Sequence, residues 1–390
     1  LITAFVALVG IGGAPLMSIR RGEKDEKGAS QILANCFLLL SVISVIITGL
    51  SLVMKNKLLV WFGASPSIFP YADDYITIYL LGTIFALLSI GMNQFIICQG
   101  FAKVAMKSVV LGAVVNIALD PVFIFACGMG VKGGALATVL SQMASAGYVL
   151  LFLFGKKVPV PITLGGYQWR IMKRVILLGL SPFLIIAFDN VLIIAMNASL
   201  QHFGGAEGDM LLTCNTIVQS FMLMVTMPLG GITGGTQTIL GYNFGARRSD
   251  RVLAAQQYIV ILSMAFTAVM FVIAQTVPHY FVQIFTRDPE YVELTVRAIR
   301  IFTLGIIPLA VQYEIVDGYT GMGIAPIAIS LSTVRKTLYL LGVVLIPMFF
   351  SVEAVFYTEP ISDFLGTAVS ITVYLMTMKK ILRRRENGEL

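Results

Sequence analysis

The chain has 390 residues, of which 57% are hydrophobic and 12% charged, and its mean hydropathy is +0.89; soluble domains carry roughly 25% charged residues. This composition excludes a soluble globular protein and predicts an integral membrane protein. The net charge of +7 does not point to nucleic acid, because the basic residues fall in short clusters between apolar runs and form no stripe.

A bilayer-crossing helix takes about 20 predominantly apolar residues. Eleven segments reach that length: residues 1–19, 31–54, 75–99, 106–127, 131–155, 172–200, 209–240, 252–276, 295–320, 326–350 and 352–377. The first closes on GIGGAPLMSIRRGEKD (Gly10–Asp25), and the seventh on a similar stretch, GGITGGTQTILGYNFGARRSD (Gly230–Asp250). Each copy has paired glycines, a short polar segment, then Gly followed by mixed charge. Gly12-Gly13 and Gly234-Gly235 are 222 positions apart, and Gly22 and Gly245 are 223 apart. Gln99-Gly100 with Thr320-Gly321, and Val131–Gln142 with Val352–Asp363, hold an offset of 221. Landmarks in register over such a length predict a duplication. Leu1 then matches Leu223, already midway along the seventh run. The register therefore expects about 50 further residues ahead of Leu1, forming one helix and the start of a second, and so twelve helices in all.

Alternating the connections between sides puts twenty-one of the 27 lysines and arginines on one side, among them Arg20, Arg21, Lys156, Lys157, Arg247, Arg248, Arg335, Lys336 and the tail Lys379–Arg385. The positive-inside rule makes that side, and the C-terminus, cytoplasmic. Both glycine-rich copies fall on it, so the two halves point the same way. The expected fold is all-α, with two parallel six-helix lobes related by a pseudo-two-fold along the membrane normal. The N-terminal lobe spans 1–155 and the C-terminal lobe 172–390. Between them runs a cytoplasmic linker, 156–171, broken by prolines and glycines. Lobes that rock about a midplane cavity are a transporter's architecture.

Catalytic and cofactor chemistry finds little support. Cys36, Cys98, Cys127 and Cys214 lie in apolar segments without C-x-x-C spacing and read as small buried hydrophobes. His202 and His279 stand far apart, which leaves no zinc cluster and no Ser/His/Asp set. The glycine-rich copies lack G-x-x-x-x-G-K-[ST] and follow no strand, so they read as sites of close helix approach and bending instead of a phosphate loop. Six carboxylates fall inside spans: Asp120, Asp189, Glu314, Asp317, Glu359 and Asp363. An ionisable group there is costly, and it marks a cavity or pathway. Asp120 and Glu359 each precede a proline, so capping of a broken helix explains them equally well, and Asp363 is close enough to do the same. Tyr313 and Asp317 share a helical face at i, i+4, while Glu314 and Asp317 are i, i+3 neighbours. Their repeat partners, Met92, Asn93 and Ile96, are uncharged.

GYNFGARR (Gly241–Arg248), GMGVKGGALATVLSQ (Gly128–Gln142), LDPVFIF (Leu119–Phe125) and PISD (Pro360–Asp363) together resemble the multidrug and toxic compound extrusion (MATE) family, in its bacterial drug-exporting branch. The resemblance implies two six-helix lobes in a V, exporting organic cations in exchange for H⁺ or Na⁺, with no other cofactor. Tyr313 and Asp317 are similar to the ion-binding pair on the tenth helix of Na⁺-coupled members, and Asp189 falls about one residue from a family carboxylate. Asp317, Asp189, Glu314 and Tyr313 are therefore the expected ion-coupling residues. Some members also use a carboxylate on the first helix, which this register does not include. The expected cavity lining is Asn93, Gln94, Asn197, Asn215, Gln219, Met222 and Met224, with methionines adapting to varied ligands. The expected protein is monomeric, multi-pass in the cytoplasmic membrane, in contact with lipid and not with nucleic acid. The same architecture also serves flippases of lipid-linked sugars, which would line the cavity with Arg or Lys, whereas no span interior here is expected to carry one apart from those near the ends. A membrane enzyme or receptor is the remaining alternative.

Overall fold

The computed structural model describes residues 2–61, 69–155 and 158–389, and these are helical almost throughout, with no strand among the described residues. Lys156 and Lys157, counted above among the cytoplasmic charges, lie outside them. The first helices are α1 (Ile2–Gly22), α2 (Glu26–Trp61), α3 (Phe69–Leu81), α4 (Thr83–Ile97), α5 (Ala102–Pro121), α6 (Val131–Leu153) and α7 (Trp169–Gly204). They are followed by α8 (Gly208–Gly245), α9 (Ser249–Thr276), α10 (Pro278–Val282), α11 (Pro289–Phe302), α12 (Ile306–Gly321), α13 (Ala325–Phe349) and α14 (Thr358–Glu386). Among the described residues ten helices are long and apolar enough to span a membrane, and an eleventh span results if α3 and α4, bent by 50° at Gly82, count as one. The eleven apolar runs of the sequence correspond to these.

The duplication is visible in backbone conformation. The two non-glycine residues with positive φ among those described are Lys24 (61°) and Arg247 (57°). They stand 223 positions apart, each turning the chain after the glycine-rich helix. Gly100 and Gly323, also 223 apart, both have positive φ, which corrects the match of Gly100 with Gly321: the helix ends agree at 223, so the repeat partners of Tyr313, Glu314 and Asp317 are Ile90, Gly91 and Gln94, again uncharged. The corresponding span of each half, the one that ends before α5 and before α13, is broken: α3 and α4 meet at Gly82, and α11 and α12 meet through a 3₁₀ turn, Thr303–Gly305. At each break a glycine admits a neighbour. A Cβ on Gly82 would lie 2.5 Å from Val139 of α6, and one on Gly305 would lie 2.8 Å from Asp363 of α14. α11 starts where Asp288 accepts the Glu290 N–H and Pro289 presets the first turn, the expected chemistry of a helix N-terminus.

Contacts divide the chain inside α7, into residues 1–183 and 184–390. In the first unit α4 packs on α1, α2 and α6; in the second its repeat partner α12 packs on α8, α9, α13 and α14. The connection after α6 is tied to the first unit. The Gln99 amide donates to Val160 O at 3.1 Å and accepts from Val160 N at 2.9 Å, and Asn35 accepts from Gln168 N at 2.8 Å. Val158, Val160 and Ile162 alternate into its interior. The glycines and prolines of this segment therefore shape a docked strap. In the second unit Arg385, in the basic tail, donates to the carbonyls of Phe244 and Gly245 at 3.0 and 3.2 Å, where a cation complements the carbonyl end of α8.

Two sequence readings are corrected. Cys127 is exposed, unlike Cys36, Cys98 and Cys214: it follows a π-helical stretch after Pro121, Val122–Ala126, in which no residue is buried. The paired glycines also differ between copies. A Cβ on Gly12 would meet the backbone of Val175 and Gly179 at 2.6–2.7 Å, while Gly230, Gly231, Gly234 and Gly235 have nothing within 4 Å. Gly12→Val is therefore expected to lower stability by about 1–3 kcal/mol, as overpacking does, since the obstructing atoms are backbone. Gly235→Val should be tolerated. Thermal melting of the two purified variants checks this, and equal melting points would refute the asymmetry.

Candidate functional site

The second unit encloses a cavity of about 210 Å³. Its walls follow helical periodicity: Asp189, Leu192 and Ile193 of α7; Gln219, Met222, Leu223 and Thr226 of α8; Leu309 and Tyr313 of α12; Arg335, Lys336 and Tyr339 of α13. The α7 and α8 sets repeat at i, i+3, i+4 and the α12 pair at i, i+4, the spacing of one helical face, while on α13 the adjacent Arg335 and Lys336 lie four and three positions before Tyr339. Phe302 and Glu359 complete the lining.

The charges on this wall form a network. Arg335 donates to Asp363 Oδ1 at 2.9 Å and to Glu359 Oε1 at 3.4 Å, and the Lys336 ammonium pairs with Asp189. Arg335 and Lys336 are buried although they lie midway along α13. They are thus not loop charges, and the count of charges in loops falls by two. Asp363 is fully buried, and its partner is the Arg335 guanidinium, not backbone at a helix break. Glu359 sits in the first turn of α14 and pairs likewise, so Pro360 opens a helix there and interrupts none. Asp120 stands in the last turn of α5, where Pro121 removes a donor and the π-helical turn begins.

Glu314 and Asp317 lie away from this lining. Asp317 accepts a 2.9 Å hydrogen bond from the Gln237 amide of α8. Glu314 is 1% exposed, and neither of its oxygens has a hydrogen-bond partner among the described residues. Gln256 of α9 packs at Gly318, one turn along α12 from Glu314. It accepts from the Tyr374 hydroxyl at 3.0 Å, while its amide nitrogen is unpartnered. α12 therefore presents Tyr313 to the cavity and its two acids to a polar layer between α8, α9 and α14.

The other expected lining residues separate. Gln219 and Met222 face the cavity. Met224 is 51% exposed and outside it, since two helical positions rotate a side chain about 200°. Asn215 donates to Asn197 Oδ1 at 3.0 Å, joining α8 to α7 apart from the cavity lining. In the first unit Asn93 donates to Ala105 O and accepts from Ser108, both at 3.3 Å, a contact between α4 and α5. Gln94 lies against Gly10 of α1. Sequence reading missed Arg335 and Lys336. The available signal was two adjacent cations deep in an apolar run, in a chain with six carboxylates inside its spans.

The sequence profile of the MatE family matches residues 1–122 and 186–348. The chain belongs to the MatE family. Two relatives of this MatE protein are multidrug export proteins MepA. That of Staphylococcus haemolyticus is 25% identical over 300 residues, covering 75% of this chain and 64% of its own length. That of Staphylococcus aureus (strain MSSA476) is 23% identical over 360 residues, covering 90% and 75%. An outward-facing MATE multidrug resistance transporter of the MOP superfamily superposes with a TM-score of 0.92 at 21% identity, over 97% of this chain and 85% of that one. A MOP-superfamily transporter from Pyrococcus furiosus, described by a reversed polarity of its binding pocket, gives 0.91 at 22%, with 97% and 85% covered. The likeness is one of fold: all-α, with the two-lobe, twelve-helix architecture of MATE transporters. The chain is a multi-pass membrane protein.

Proposed function

We propose that this MatE protein exports amphipathic, often cationic compounds in exchange for H⁺ or Na⁺, as a monomer in the cytoplasmic membrane with its C-terminus in the cytoplasm and no further cofactor. The observation that carries this reading is an acidic pair on the helix that also walls a cavity: Glu314, buried and without a hydrogen-bond partner among the described residues, and the partly buried Asp317 lie within about one turn of Tyr313. A carboxylate held away from water without a partner gains most from a proton or a small cation. Binding there and binding in the cavity both bias α12, and two ligands coupled through one element change each other's affinity reciprocally. Asp189, Tyr313, Tyr339 and Phe302 give the cavity an acid and aromatic faces, the surroundings that favour an organic cation. The relatives' name, multidrug export protein, agrees with varied substrates, which adaptable side chains such as Met222 suit.

The flippase reading rested on cations lining the cavity, and Arg335 and Lys336 do line it. Both are already paired, however, and three carboxylates (Asp189, Glu359 and Asp363) stand against two cations. A pyrophosphate finds no uncompensated positive charge there, so the cation reading is kept. Its test is the purified protein in liposomes preloaded with ethidium. An imposed ΔpH or Na⁺ gradient should drive ethidium movement. Gradient-independent turnover of a lipid-linked sugar without ethidium transport would overturn the proposal.

A further inference from the structure

The pairing of Lys336 with Asp189 is asymmetric. The Lys336 side chain is 8% exposed and that of Asp189 47% exposed, so the carboxylate looks into the cavity while the ammonium reaches it from inside the wall. Asp189 is the hydrogen-bond partner of Lys336 among the described residues. The remaining acids near α13, Glu359 and Asp363, are shared with Arg335. The cavity's most accessible carboxylate is therefore already occupied by a cation belonging to the protein.

We propose that Lys336 is a tethered competitor for Asp189, so that a cationic ligand must displace the ammonium to reach the carboxylate. The inference rests on the export reading above and assigns Lys336 a part in specificity. The geometry supplies a second acceptor for the displaced group. Glu359 lines the same cavity and lies 3.4 Å from Arg335, whose shorter contact, 2.9 Å, is with Asp363. A lysine on its flexible four-carbon stem can move from Asp189 to Glu359 without leaving the cavity wall, while Arg335 stays held by Asp363. The ligand that completes the exchange carries a positive charge and an apolar body, since Leu192, Ile193, Met222 and Leu223 form the rest of this wall. A weak cation fails to displace the lysine, so the pair sets a threshold of affinity.

The experiment measures equilibrium binding of ethidium to the purified full chain in detergent. Lys336→Met should bind ethidium about tenfold more tightly than the wild type, the equivalent of roughly 1.4 kcal/mol. The gain should disappear in Lys336→Met/Asp189→Asn. Lys336→Gln, which keeps a neutral donor, provides the same comparison should the methionine variant fail to fold. Wild-type binding with no gain in either single variant overturns the inference and leaves the export reading standing, as does a gain that survives loss of Asp189. Weakened binding of an anionic dye in Lys336→Met, with ethidium unchanged, overturns it in favour of an anion-binding lysine. No ethidium binding by any of the proteins overturns both the inference and the cation reading beneath it.

Discussion

Asp317→Asn is expected to abolish ion-driven efflux while leaving the protein folded. The substitution keeps the oxygen that accepts the 2.9 Å hydrogen bond from Gln237 and removes only the charge. The neighbouring Glu314 remains without a hydrogen-bond partner among the described residues, and can still take up a proton or cation but without the second charge beside it. Because α12 contacts α8, α9, α13 and α14, the charge state at this position bears on three of the other helices that wall the cavity, α8, α13 and α14. Efflux of ethidium from liposomes under an imposed ΔpH or Na⁺ gradient should fall to that of protein-free vesicles. Asp120→Asn is the comparison: Asp120 is half-buried and lies in the other unit, and efflux should continue. Undiminished gradient-driven efflux by Asp317→Asn would sink the coupling role and leave Glu314 and Asp189 as its carriers.

The second large effect concerns Arg335. Arg335→Met is expected to cost about 3–5 kcal/mol of stability, the usual consequence of removing one partner of a buried ion pair. Asp363, fully buried, would be left with neither oxygen partnered, because its Oδ2 already has no hydrogen bond among the described residues. Glu359 would lose its cation at the same stroke. Neutralising all three groups together, as Arg335→Met/Glu359→Gln/Asp363→Asn, should recover much of the loss, since the penalty lies in the uncompensated charge and not in the missing volume. Thermal melting of both variants in detergent measures it. A single variant that melts with the wild type would show that the network contributes nothing to the fold.

Much of the architecture follows from local sequence. Apolar run length gives the spans, because a bilayer leaves helices as the economical way to pair backbone groups. The repeat is legible because duplicated backbone needs duplicated special residues, such as Gly22 and Gly245 where the glycine-rich helices end; the matching breaks at Gly82 and Gly305 and turns at Lys24 and Arg247 emerge from the fold. The acids of α12 are legible because a charge inside an apolar run is costly wherever it points. Tertiary structure alone decides the direction in which each side chain points and what it meets. The alternation of charge assigns Arg335 and Lys336 to the loops although they stand inside the run 326–350, and their partners Asp363 and Asp189 lie 28 and 147 residues away, brought within reach by the packing of α13 on α14 and the enclosure of the cavity by α7. Met222 and Met224 look equivalent in sequence and face opposite ways, since helix rotation is fixed by the neighbours packed against it. Hydropathy fixes how deep a residue sits, and only the packed helices determine which charges meet there.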